Sequence, residues 1–269
     1  MDKFYRNAIE TASLPLKDRV SETHKKYFGK ITVTKTFWAK KYLVYDIKIT
    51  EELFRNDLLK ARIIKELRSI FEFFLEFYSI KREDIVLVAA LGNEKICADS
   101  IGCAVCDKIV VTSHLYDDDF VKTRYGNLAA IKCGVSGNTG IESFDILTSI
   151  ARETKPKIIF AIDALASNSV TRLSNTIQIS DRGIEPGAGV GNAKRILNYD
   201  SLGCPVIAVG VPLVMYASKI LAEFLPENAT VDDKNINGLV VTAKEIDFLV
   251  SDFSAVIAEG INQAVHRLQ

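Results

Sequence analysis

Short apolar runs alternate with amphipathic stretches along most of this chain. The runs over 85–91, 128–133, 157–162, 176–179 and 205–211 are nearly unbroken in aliphatic and β-branched residues. Runs of that length and kind read as strands buried on both faces. Between and after them, 99–110, 143–154, 212–225 and 243–267 carry apolar residues at helical spacing. Strands alternating with helices predict an α/β fold, a three-layer sandwich with a mostly parallel central sheet. Upstream, 30–34 and 42–49 are β-branched and aromatic and predict two more strands around a basic turn at Lys40 and Lys41. Thr50, Glu51 and Glu52 predict a helix start, with a capping hydroxyl and acidic first-turn residues. Leu53, Leu58, Ile63, Ile64, Leu67, Ile70, Phe71 and Phe74 carry that helix to about Tyr78. Residues 1–29 are polar and mixed and read as a loose or partly helical leader, and 226–238 as a polar surface loop. With no repeat or low-complexity tract, the 269 residues read as a single α/β domain.

Composition narrows the classes. Lys+Arg and Asp+Glu balance at 34 each, which removes a global electrostatic case for binding nucleic acid or an anionic membrane. No stretch reaches the roughly 18 apolar residues of a membrane span, and no apolar segment follows the N-terminus as in a secretory signal. The expected setting is cytoplasmic. The five cysteines, an odd number, fit a reducing compartment.

Two carboxylates carry the chemistry. Asp163 closes the apolar run 157–162, and Asp99 follows the run 85–91 after Gly92 and Asn93. A carboxylate at the end of a buried strand costs free energy unless it is paired, bonded or used. Ligands of open α/β sheets bind at the carboxyl ends of the strands. Two such acids side by side cannot both ionise, so one serves as acid while the other activates water. Spacing by itself favours a plainer reading, in which Asp99 caps a helix and Asp163 bonds a loop amide.

Other motifs are weaker. The glycine-rich stretch with Gly183, Gly187, Gly189 and Gly191 lacks both the Gly-x-Gly-x-x-Gly spacing and the Lys-Ser/Thr of a P-loop, and reads as an ordered loop lining a cleft. Cys97, Cys103, Cys106, Cys133 and Cys204 lack the second ligand pair of a zinc site and read as small buried apolar residues. Ser136 is not in a nucleophile elbow. Gly137-Asn138-Thr139-Gly140 reads as a tight turn into a helix.

Taken together, several segments resemble the germination protease family of endospore-forming bacteria. They are Leu91-Gly92-Asn93 with Asp99-Ser100-Ile101-Gly102, Val111-Thr112-Ser113-His114-Leu115, Gly137-Asn138-Thr139-Gly140-Ile141-Glu142 and Ala161-Ile162-Asp163-Ala164-Leu165-Ala166. The block from Thr176-Ile177-Gln178-Ile179-Ser180-Asp181 to Gly187-Ala188-Gly189-Val190-Gly191-Asn192 is the most specific, and 205–212, 242–247 and 261–266 extend the match. The resemblance implies an endopeptidase that degrades small acid-soluble spore proteins during germination in the spore core. It implies a fold similar to the hydrogenase-maturation proteases, a zymogen with a short leader, and a homotetramer. Asp99 and Asp163 stand at the family's proposed catalytic aspartates. Asn93, Gly187, Gly189 and Gly191 would line the cleft and offer backbone N–H groups to the developing oxyanion. Carboxylate-only chemistry needs no metal and no cofactor.

Three departures accompany the resemblance. Glu94-Lys95-Ile96-Cys97-Ala98 differs from the family's usual sequence, 218–240 is shorter, and the chain begins near where a mature member begins. Two alternatives stand beside this reading. One is a metal-sensing maturation protease using His114 with the carboxylates; the other is a member that binds spore proteins without cutting them.

Overall fold

The computed structural model describes residues 19–38, 42–50, 56–186, 195–226, 236 and 238–267. Among these residues one nine-stranded sheet runs through the molecule. Its strands are β1 (Arg19–Lys26), β2 (Ile31–Trp38), β3 (Tyr42–Ile49), β4 (Val86–Leu91), β5 (Leu128–Gly134), β6 (Ile158–Ser167), β7 (Thr176–Ser180), β8 (Val206–Tyr216) and β9 (Val240–Thr242). They lie in the order β1-β2-β3-β7-β8-β6-β4-β5, with β9 also on β8. Strands β8, β6, β4 and β5 are parallel to one another. The flank β1-β2-β3-β7 is antiparallel, and so are β7 and β9 on β8.

Helices cover both faces, as the continuous apolar strands require. Alternate residues of β6 enter different cores. Ile158, Phe160 and Ile162 pack beneath α1 (Asp57–Phe77), α2 (Ile101–Cys106) and a long C-terminal helix, Ile246–His266. Ile159, Ala161 and Leu165 pack on the opposite side with Leu147 and Ala151 of the helix Ser143–Thr154. The sandwich therefore has three layers. Phe71 of α1 is fully buried edge-to-face on Phe160, with ring centroids 5.1 Å apart. Phe71→Ala is expected to lower unfolding free energy by about 3–5 kcal/mol, read as a lower urea midpoint at unchanged slope.

Several boundaries differ from expectation, each for a physical reason. Residues 19–26, expected in a leader, form a strand paired along its whole length with β2; residues 1–18 lie outside the described residues. The first described turn of α1 starts at Asp57, with the Asn56 side chain accepting the Leu59 N–H at 3.0 Å. Thr50 instead donates its hydroxyl to the backbone carbonyls of Gly29 and Lys30, and Glu51 and Glu52 lie outside the described residues. Strand β8 continues through Pro212 to Tyr216, so the helix expected from 212 begins at Ala217. Pro212 sits at a register shift between β6 and β8, where its missing N–H is tolerated.

Candidate active site

The site lies where the parallel sheet loses a strand. Strand β4 pairs with β6 only as far as Ala90 opposite Ile162. Strand β6 continues to Ser167 against β8 alone. Asp163 is thus not at the end of its strand but is the first β6 residue past the last β4 partner. Beyond β4 the chain turns at Gly92, whose φ of +88° favours glycine. It then folds back through a single 3₁₀ turn, Cys97–Asp99, into α2.

Two glycines hold this return tightly. A Cβ on Gly92 would stand 2.1 Å from the Asp99 carbonyl oxygen. A Cβ on Gly102, in the first turn of α2, would stand 2.4 Å from the Leu91 carbonyl oxygen and 2.6 Å from that of Ile162. The segment bearing Asp99 is therefore pressed onto the end of β4 and onto mid-β6 at Ile162, the residue before Asp163.

Each carboxylate has one backbone donor. The Asn93 N–H donates to Asp99 Oδ2 at 2.8 Å, and the Ala164 N–H to Asp163 Oδ1 at 2.9 Å. Asp99 caps no helix, since Ser100 is the residue at the α2 N-terminus. The plainer reading of the sequence assigned Asp99 a helix cap and Asp163 a loop amide; instead Asp99 accepts a loop amide and Asp163 the amide of the next strand residue. What that reading did not contain is their mutual electrostatics. Asp163 is only 6% exposed. Burial, and then the neighbouring Asp99 charge, push its carboxyl up to about 8 against the Ala164 hydrogen bond. Burial also raises Asp99, and the Asn93 hydrogen bond opposes it. Burial thus favours the protonated form of Asp163 near neutral pH.

The other expected site residues fall out differently. Asn93 lines the site, but its backbone N–H is committed to Asp99, so it is not an oxyanion donor. Gly187, Gly189 and Gly191 lie outside the described residues. His114 is exposed in a turn beside the start of β5, whose first residue, Leu128, accepts the Thr112 backbone N–H on its carbonyl. Asp99 follows the other end of the parallel pair β4–β5, so a strand length of about 20 Å separates them, and His114 cannot share an ion with the aspartates. A groove of about 1020 Å³ lined by Tyr78, Arg152, Lys157 and Tyr199 also lies at the amino ends of the parallel strands, away from the carboxylates. Cys103, Cys133 and Cys204 are buried, Cys106 is half-buried and Cys97 is exposed, all as free thiols.

One residue of a family-matching segment, given no role from sequence, reaches the site's edge. Asn138 donates its side-chain amide to Asn93 Oδ1 at 2.7 Å. Its signal in the sequence is the family-matching turn Gly137–Gly140.

The chain's relatives place it in a family. A family model described as germination protease matches residues 25–226. The germination protease of Bacillus cytotoxicus is 33% identical, covering 77% of this chain and 74% of its own length. That of Bacillus mycoides is 32% identical with the same coverage. That of Bacillus licheniformis is 31% identical, covering 85% of this chain and 78% of its own. With the matched region spanning all the strands from β2 to β8 and both aspartates, this chain belongs to the germination protease family of peptidases.

Proposed function

We propose that this chain is an endopeptidase that cuts small acid-soluble spore proteins during germination, using Asp99 and Asp163 as a base–acid pair. One observation supports the reading: past the end of β4 the Asp99 charge acts on the buried Asp163 carboxyl, whose protonated form burial favours near neutral pH. Sequence alone leaves the roles open; the deeper burial of Asp163 supports it as the acid and Asp99 as the base. Ionised Asp99 removes a proton from water as the water oxygen attacks the scissile carbonyl carbon. Asp163 gives its proton to the carbonyl oxygen, so the tetrahedral intermediate is a neutral gem-diol. Asp99 then passes its proton to the amide nitrogen, the C–N bond breaks, and a gem-diol hydroxyl returns a proton to Asp163. One water is consumed and both carboxyls end as they began.

The test is cleavage of a purified small acid-soluble spore protein across pH. Activity is expected to fall as pH rises through about 8, where Asp163 loses its proton. It is expected to fall again on the acid side, where Asp99 gains one, at a pH above the ordinary aspartate range because burial raises that group. A flat profile through pH 8 would exclude Asp163 as the acid. Binding of the spore protein with no cleavage at any pH would instead favour a non-cutting family member.

The subunit number and activation by removal of a leader belong to this proposal as well. The resemblance supports a homotetramer made as a zymogen in the forespore. Among the described residues no helix is long and apolar enough to cross a membrane.

A further inference from the structure

The tip of the sheet carries a second recognition element that the acid–base pair does not use. Strands β4 and β5 run parallel, and a register shift sets Leu91 opposite Gly134. The loops leaving them, through Asn93 and through the one-turn helix Ser136–Thr139, therefore emerge side by side. The Asn138 side chain donates Nδ2–H to Asn93 Oδ1 at 2.7 Å. The orientation of this amide pair is determined, not arbitrary. Asn93 Oδ1 also accepts the Lys95 backbone N–H at 3.0 Å, which identifies it as oxygen. Asn138 must then present nitrogen to it.

This leaves a specific pair of unused groups. Asn93 Nδ2 has its donors free, and Asn138 Oδ1 has its lone pairs free, among the described residues. Asn138 is exposed, and a Cβ on its neighbour Gly137 would meet nothing within 4 Å, so the approach is open. One donor and one acceptor on linked planar amides match the C=O and N–H that an extended peptide backbone offers on one edge. Asn93 is also the residue whose N–H holds Asp99. The pair thus stands directly beside the catalytic carboxylates.

We infer that Asn93 and Asn138 form a subsite for the substrate main chain, with Asn93 Nδ2 donating to a substrate carbonyl and Asn138 Oδ1 accepting a substrate N–H. The inference rests on the peptidase reading above. Such a subsite reads backbone instead of side chains, so it holds the strand in place without selecting its sequence. Asn138 is a positioning residue and touches no reacting atom.

The experiment separates the subsite from the chemistry. Fluorescence anisotropy of overlapping labelled peptides covering a small acid-soluble spore protein is measured on the Asp163→Asn protein, and the tightest peptide is kept. Adding Asn138→Ala is expected to weaken its binding about 3- to 10-fold, the worth of one neutral hydrogen bond. N-methylation or ester replacement at one backbone position of that peptide is expected to cause a similar loss with Asn138 present and no further loss with Asn138→Ala. In the otherwise wild-type protein, Asn138→Ala is expected to raise KM and spare kcat. Unchanged binding in Asn138→Ala overturns the subsite, as do losses that add at every backbone position, or no peptide bound at all. Matching thermal melts of the variants exclude a folding defect. Binding that depends on Asn138 while the wild-type protein cuts nothing would sink the peptidase reading and keep the subsite.

Discussion

Asp163→Asn and Asp99→Asn are each expected to lower spore-protein cleavage by about 10²- to 10⁴-fold, the range of a lost general acid or base. Stability is expected to respond to pH differently in Asp163→Asn and wild type, because Asp163 is the deeply buried acid. The Asp163 carboxyl has a pKa of 3.8 when unfolded and about 8 when folded. Between those values the native state keeps a proton that the unfolded chain has lost. The stability linked to this proton is fully present below about pH 3.8 and is lost as pH rises through about 8. Across that window the wild-type protein loses about 1.4 kcal/mol per pH unit from this group. An asparagine has no proton to lose. Asp163→Asn is therefore expected to be more stable than wild type at pH 8, while inactive. Denaturant unfolding at pH 5 and pH 8 with cleavage measured on the same samples checks both halves. Equal pH dependence in the two proteins would mean that Asp163 is not the buried acid, and retained cleavage by both variants would mean that the pair is not catalytic. Stability withheld at a functional carboxylate is the expected cost of a site that must hold a proton against burial.

Gly102→Ala is expected to lose activity together with stability. The added Cβ would stand 2.4, 2.6 and 2.9 Å from backbone atoms of Leu91 and Ile162. Backbone in the middle of a paired sheet cannot withdraw as a flexible side chain can, so α2 must move outward. The expected destabilisation is about 1–3 kcal/mol or more, the usual size of overpacking. That movement carries Asp99 away from Asp163 and uncouples the pair. Thermal melting, with cleavage measured well below the transition, separates the two effects. The expected outcome is cleavage lowered by more than the unfolded fraction explains. Gly137→Ala is the stability control, because nothing lies within 4 Å of the position its Cβ would take. A Gly102→Ala protein with normal activity would remove the close packing of α2 as what positions Asp99.

The parts legible in sequence were those set by local pattern. Strands β3 and β4 and the helix Ser143–Thr154 match the expected spans to within one residue at either end. Their apolar periodicity is local, and packing reinforced it. Elements were misplaced where a distant strand decided the outcome. β1 is polar along its length and exists because β2 offers it a full ladder. β6 outran its apolar core because β8 pairs with it as far as Ser167. Pro212 argued for the start of a helix, yet a bulge absorbed it inside a strand. The aspartates stand out by type and position, whereas the bonding of Asn93 does not. Its backbone N–H serves Asp99, and its side chain joins Asn138, a contact 45 residues apart in sequence.

The sequence by itself determined the α/β class, the family and the two acids, because buried strands must be apolar and a carboxylate among them is conspicuous. Tertiary structure alone decided which acid keeps the proton. Protonation depends on burial and on the distance to another charge, and neither quantity is a property of a residue or its neighbours in the chain. Asp163 is buried because β8 extends past it on one side while β4 stops on the other, and it is pushed upward because two glycines let Asp99 fold back into that gap.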